Sequence, residues 1–183
     1  MAAKNGGIDG SLSEFEKRFE TAFEKSDFIS EGIKVALDFE RESREFYEGA
    51  AKKNPDAGVR KLFEFLAGEE ARHYAFLKEL QESLEKNGKW IAVPAQPRLR
   101  GPDIFKLKAE DAGELGAGAE TAVLSALHAE KESQYYYARL SARIFDAAGK
   151  KFFAKMADFE KTHAQLLDGM FEQMLFVRDM QLG

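Results

Sequence analysis

A chain of 183 residues, 44% hydrophobic and 32% charged, is long enough for one domain with a full core. Its net charge of −5 and lack of a basic cluster argue against a nucleic-acid partner, and the absence of cysteine removes disulfides, thiolate metal sites, iron–sulfur clusters and thiol nucleophiles. No run reaches the ~18 apolar residues of a membrane span, and MAAKNGGIDG lacks the apolar core of a secretory leader, so a soluble cytoplasmic protein with no membrane partner is expected.

Residues 1–10 are Gly-rich and polar and are expected to be disordered. From Ser11, capping-box spacing to Glu14 and apolar steps through Leu12, Phe15, Phe19 and Phe23 predict an amphipathic helix over 11–26. So short a helix needs a surface for its phenylalanine face, either its own bundle or another subunit. Ser26-Asp27 reads as an N-cap, opening a helix that ends near Lys53, before Asn54-Pro55. A second helix starts at once, with Pro55 in its first turn, and runs to about Asn87, where Gly88 stops it.

Residues 89–116 hold three of the four prolines and form a crossover of about 28 residues. Trp90, Ile91, Val93, Ile104, Phe105 and Leu107 are too apolar for a free linker, so the crossover is expected to lie as a strap along a bundle formed by residues 27–183. At ~3.3 Å per extended residue it easily passes the ~45 Å of a thirty-residue helix. A third helix is predicted from about Ala119 and a fourth from near Gly149 to the C-terminus. The fourth stays apolar late, at Phe171, Met174, Leu175, Val177 and Met180, which suggests a subunit interface.

An internal repeat organises these helices. Sliding residues 36–77 onto 126–167 matches 14 of 42 positions, where unrelated sequence gives about two or three. The matches include Glu40/Glu130, Tyr47/Tyr137, Glu70/Glu160 and His73/His163. The fold class is therefore all-α: an antiparallel four-helix bundle of two repeated hairpins joined by a long crossover, with an extra N-terminal helix.

Helical geometry brings the repeat to a point. Glu40 and Glu70 are equidistant from Pro55, and Glu130 and Glu160 from Phe145, so antiparallel packing sets each pair at one height. His73 and His163 follow their glutamates by three residues, on nearly the same face. Four inward carboxylates are costly to bury unless positive charge compensates them, and two divalent cations supply +4 against −4. An oxygen-rich shell with two imidazoles suits iron or manganese, with zinc as another occupant. A lone Glu-x-x-His is a weak signal, glutamate being common on helix surfaces; two copies at a constant offset, each with a glutamate thirty residues upstream, are specific.

Tyr47 and Tyr137 lie two turns beyond Glu40 and Glu130 on the same face, placed either to pack the core or to hydrogen-bond a carboxylate or a bound oxygen species. Ser43 and Ser133 face the centre, and Phe63, Phe153, Leu77 and Leu167 line it. His128, Glu42 and Glu132 point away and are expected in solvent. No matched partner for the histidines is visible, because Glu69 has Phe159 as its repeat equivalent.

ALDFERESREFY with LFEFLAGEEARH, and ALHAEKESQYYY with FFAKMADFEKTH, resemble the two helix pairs of ferritin-like diiron-carboxylate proteins, in particular their rubrerythrin branch. The resemblance covers about residues 30–180. It implies a ferritin-like bundle with two iron ions held by Glu40, Glu70, His73, Glu130, Glu160 and His163, with Glu70 and Glu160 as bridges. It also implies a homodimer or higher homo-oligomer that reduces hydrogen peroxide or dioxygen in oxidative-stress defence or iron homeostasis. Two departures matter: the usual rubredoxin domain with its four cysteines is missing, and Ser133 stands where rubrerythrins carry a further carboxylate. Electrons must then come from an external donor, such as a separate rubredoxin-like protein, or from iron itself. The shell is closer to a bacterioferritin ferroxidase centre, so ferroxidase and iron-storage activity is the alternative; a metal-stabilised adaptor bundle is a third.

Overall fold

The computed structural model describes residue 21 and residues 27–93 and 117–182. The expected disordered segment 1–10, nearly all of the helix expected at 11–26, and crossover residues 94–116 lie outside the described residues. Four helices account for the rest: α1 (Phe28–Lys53), α2 (Ala57–Asn87), α3 (Ala117–Arg143) and α4 (Ala147–Leu182).

Their ends follow local chemistry. The Asp27 carboxylate accepts from the Ser30 N–H at 3.3 Å and caps α1. Asn54 adopts an extended conformation and closes α1 through its N–H to the Ala50 carbonyl, 3.1 Å. Helix α2 starts later than the Asn-Pro signal suggests. Asp56, not Pro55, is its cap, because the Asp56 carboxylate accepts from the Val59 N–H at 2.8 Å. Pro55 thus stands before the cap rather than in the first turn. Gly88 ends α2 at φ 64°, a left-handed conformation that favours glycine. Helix α4 begins at Ala147, two residues ahead of Gly149, since the Asp146 carboxylate accepts from the N–H groups of Ala148 (2.8 Å) and Gly149 (3.0 Å).

Helix α1 packs on α2 and α3 on α4, and the hairpins meet along α1/α3 and α2/α4. Two apolar clusters fill the bundle. One takes Tyr47, Val59, Leu62, Phe63, Leu127 and Leu167; the other takes Ile33, Leu77, Leu80, Tyr137, Phe153 and Met156. On every helix the polar repeat residues fall between the stretches that feed the two clusters, which sets them at mid-bundle behind an apolar seal on either side. Tyr136 ties the hairpins together by donating to the Gly32 carbonyl at 2.8 Å.

The described start of the crossover behaves as the expected strap. Trp90 meets Phe153 edge to face at 6.2 Å, and Ile91 and Val93 pack against the same cluster. Gly149 makes this possible, because a Cβ there would come within 2.6 Å of the Trp90 ring. The late apolar run of α4 is divided between core and surface. Met174 and Val177 are buried within this one chain, Met174 in the Tyr47 cluster, so the bundle itself uses them; Phe176 stays 65% exposed. No helix among the described residues is long and apolar enough to cross a membrane.

Candidate metal centre

Each helix of the bundle delivers its share of the centre from its middle. Helix α1 supplies Glu40 and Tyr47, α2 supplies Glu70 and His73, α3 supplies Glu130 and Tyr137, and α4 supplies Glu160 and His163. None of the four glutamates and two histidines is more than 2% exposed. His73 Nδ1 lies 3.1 Å from Glu160 Oε1, 3.4 Å from Glu40 Oε2 and 3.6 Å from Glu70 Oε2. His163 Nδ1 lies 3.1 Å from Glu70 Oε1, 3.4 Å from Glu130 Oε2 and 3.9 Å from Glu160 Oε2. The arrangement has two halves, Glu40 with His73 and Glu130 with His163. Glu70 and Glu160 each turn one oxygen to either half.

Glu70, His73, Glu160 and His163 offer one ligand atom apiece within 4.8 Å of one another, close enough to hold a metal ion. Glu40 Oε2, Glu70 Oε1, Glu130 Oε2, Glu160 Oε1 and both Nδ1 atoms are buried without a hydrogen-bond partner. Buried polar atoms are normally satisfied, so this set of orphaned lone pairs on hard oxygen and imidazole nitrogen fits divalent cations.

The protonation pattern fits as well. Burial pushes the Glu40 carboxyl up to about 8, and the Glu70 charge adds to the rise. Glu160 is raised well above the usual range by burial, then by the charges of Glu70, Glu130 and Glu40. Glu70 is lowered: burial pushes it up, but close contacts with Glu40, His163 and His73 outweigh that. Burial pushes both imidazoles down, yet the acids around them, first Glu40 for His73 and Glu130 for His163, hold both well above their ordinary value. A cation entering the centre would therefore have to displace protons from these lone pairs.

Both tyrosines are fully buried and reach the centre, but each serves the other hairpin. The Tyr47 hydroxyl donates to Glu130 Oε1 and the Tyr137 hydroxyl donates to Glu40 Oε1. Tyr47 stacks on Phe63 at 5.8 Å and Tyr137 on Phe153 at 6.1 Å, so the repeat sets the hydroxyl and its backing ring together. Burial, joined by the partner carboxylate, raises both phenols well above their ordinary value and keeps them as donors.

Several further placements bear on the centre. Ser133 is buried, while Ser43 is half-buried. Glu42 is exposed as expected. His128 is exposed too, but Glu132 is half-buried and 3.2 Å from His128 Nε2. Sequence spacing missed two contacts. Phe159 stacks flat on His73, with 5.1 Å between ring centroids and 8° between planes. Glu69 is fully buried and paired with Arg72. The signal for that pair was its i, i+3 spacing; nothing in the sequence marks a glutamate beside a ligand-type residue as buried.

The Rubrerythrin family model matches residues 8–81, a segment that contains α1 and most of α2 and carries Glu40, Glu70 and His73. The resemblance of the first hairpin to that branch of the ferritin-like diiron superfamily is thereby shown; the match does not extend to the second hairpin. A hypothetical protein from Pyrococcus furiosus has a similar solved structure, with 25% identity and a TM-score of 0.59 over 80% of this chain and 89% of that one. No curated protein matches the chain.

Proposed function

We propose that this rubrerythrin-like bundle holds two iron ions and reduces hydrogen peroxide or dioxygen with electrons from an external donor. The observation that carries this reading is the divided geometry of Glu70 and Glu160, each with one oxygen near His73 and the other near His163. Two carboxylates shared between two equivalent histidines describe a bridged pair of cations better than a single one. Glu40 and His73 would complete one position, Glu130 and His163 the other. Manganese or zinc could fill the same shell.

Bound iron would supply the electron exchange that no side chain here can perform. The chain's own part is positioning. Tyr47 and Tyr137 fix Glu130 and Glu40 by donating to one oxygen of each, leaving the other oxygen for a cation. The two apolar clusters keep bulk water from both ends of the centre. With no cysteine in the chain, reducing equivalents come from a separate one-electron carrier, for which a rubredoxin-like protein has the right chemistry. The proposed setting is a cytoplasmic homo-oligomer engaged in peroxide defence.

Buried Ser133 favours a second reading, ferroxidase activity feeding iron storage, because it leaves the shell one carboxylate smaller than a peroxide-reducing rubrerythrin's. One preparation separates the two. Anaerobically purified protein is loaded with ferrous iron, its metal content and particle size are measured, and it is mixed with peroxide or oxygen while ferric absorption is followed. Rapid oxidation by peroxide in a small oligomer supports the first reading; a large hollow particle holding many irons per chain supports the second. Less than one metal per chain after loading, or undiminished binding in a Glu70→Ala, Glu160→Ala variant, would refute the dimetal site itself.

A further inference from the structure

The rings around the two tyrosines of the centre lead to different ends. Tyr47 touches Phe63 and Phe46, at 5.8 and 5.5 Å between ring centroids. Those two rings meet each other at 6.3 Å and no further aromatic ring among the described residues. That side therefore ends in phenylalanine, with Phe46 40% exposed. Tyr137 instead stacks on Phe153 at 6.1 Å, and Phe153 meets Trp90 edge to face at 6.2 Å. Under the offset of ninety residues Phe153 is the counterpart of Phe63, and Tyr136, whose ring lies 5.9 Å from that of Tyr137, is the counterpart of Phe46. Trp90 has no counterpart, being the one tryptophan of the chain.

Phenol and indole give up an electron far more readily than phenylalanine, so the two sides differ in chemistry as well as in packing. The Tyr137 hydroxyl donates to Glu40, and Phe153 and Trp90 continue the contact outward. Trp90 is half-buried and lines an open groove with Lys151, Phe152 and Lys155, within reach of solvent. Resting on the redox reading above, we infer that Tyr137 and Trp90 form a relay that carries an oxidising equivalent from the centre to the surface when the centre holds only one ferrous ion. Hydrogen peroxide takes two electrons and two protons to break its O–O bond and leave as two waters. Ferrous iron gives one electron. Tyr137 gives the other while its proton shifts along the hydrogen bond to Glu40. Trp90 then refills the phenol, that proton returns, and the indole loses its N–H proton to solvent. The net change is one ferrous ion and one indole each oxidised by one electron, with one proton from the indole and one from solvent ending in water. The radical left on Trp90 is reduced there by the external one-electron donor.

The test uses the full-length chain, freed of metal, half-loaded with ferrous iron without air and mixed with peroxide in the absence of any reductant. Samples frozen on mixing are read by electron paramagnetic resonance. Others then receive air, whose dioxygen adds to the indole radical and leaves oxygen on the ring, which peptide mass spectrometry locates. The expected result is an indole radical and oxygen added at Trp90, both absent when zinc replaces iron. Tyr137→Phe lowers Trp90 oxidation per ferric ion formed by at least about tenfold, while Tyr47→Phe, which removes the equivalent bond to Glu130, leaves it within about twofold. A role confined to positioning the carboxylates would lower both alike. Trp90→Phe forms ferric iron as wild type does but leaves the radical on a phenol. Ferric iron formed with no indole radical and Trp90 unmodified, equal oxidation of Trp90 with zinc, or equal losses in the two tyrosine variants overturns the relay and leaves the redox reading standing. No ferric iron at all overturns both.

Discussion

Tyr47 donates its hydroxyl to Glu130 and not to Glu40, the glutamate two turns earlier on its own helix; Tyr137 does the reverse, donating to Glu40. Each hairpin therefore holds the outer carboxylate of the other. The pair of bonds ties the hairpins across the centre, where α1 and α3 have few other contacts.

This crossing predicts the pattern of a double-mutant cycle. Tyr47→Phe removes the donor and costs about 1.5–3 kcal/mol, the range for a buried hydrogen bond to a charged group. Its coupling to Glu130→Gln is large and its coupling to Glu40→Gln is near zero, with the mirror-image result for Tyr137→Phe. Urea unfolding of the single and double variants measures both. Equal coupling of Tyr47 to the two glutamates would contradict the crossed arrangement.

A second prediction concerns pH. Glu40 rises from 4.5 to about 8 in the folded chain, and Glu160 also rises. The stability these protons give is complete below the unfolded value and is lost as pH climbs through the folded one. His73 and His163, raised from 6.5, add to the loss at the upper end. Glu70, lowered from 4.5, acts oppositely, and its contribution disappears only as pH falls below that value. Metal-free protein should therefore have a urea midpoint that falls steadily from pH 5 to pH 8. Cation affinity should rise over the same interval, since each cation displaces protons. A flat or rising midpoint in chelated protein would show that the centre does not hold those protons.

Gly149 offers a test of the strap. A Cβ there meets Trp90 ring atoms at 2.6 and 2.7 Å and Ile144 at 2.8 Å, and no rigid indole can give way by so much in place. Gly149→Ala should displace Trp90 and cost about 1–3 kcal/mol, the usual penalty of overpacking. Trp90 is the one tryptophan of the chain, so its emission reports directly. The expected outcome is a red shift in the native state; an unchanged spectrum would mean that the strap does not depend on this contact.

The bundle and its centre were legible because the repeat supplies each observation twice. Glu40, Glu70, His73 and their counterparts lie at fixed distances from Pro55 and Phe145, and helical geometry alone carries them to one height. What the sequence hides is pairing between helices. Spacing places Tyr47 on the face of Glu40, but the phenol is long enough to cross to Glu130, and only packing decides between the two. Glu69 was illegible for a related reason: an acid next to an inward glutamate lies 100° round the helix, and whether that direction is solvent or core depends on the neighbouring hairpin. The late apolar run of α4 is shared, Met174 and Val177 being buried within the chain while Phe176 stays exposed.

The same four acids that fit the centre for cations should weaken the fold without them. A cluster in which Glu40 and Glu160 are both raised by burial is a net cost to the metal-free bundle at neutral and higher pH. The double variant Glu40→Gln, Glu160→Gln keeps shape and polarity but removes two buried carboxyls that must either hold a proton or bury a charge as pH rises. It should be more stable than wild type when both are metal-free at pH 8, by at least about 1 kcal/mol. It should also lose most of the stabilisation that added ferrous iron gives wild type, about 2.7 kcal/mol at a hundred times the dissociation constant. Thermal unfolding with chelator and with iron measures both halves. If the variant is less stable than wild type without metal, the carboxylates serve the fold and the trade between stability and cation binding is absent. If the ranking reverses on adding iron, as expected, the bundle tolerates its own buried charge for the sake of the cations it takes up.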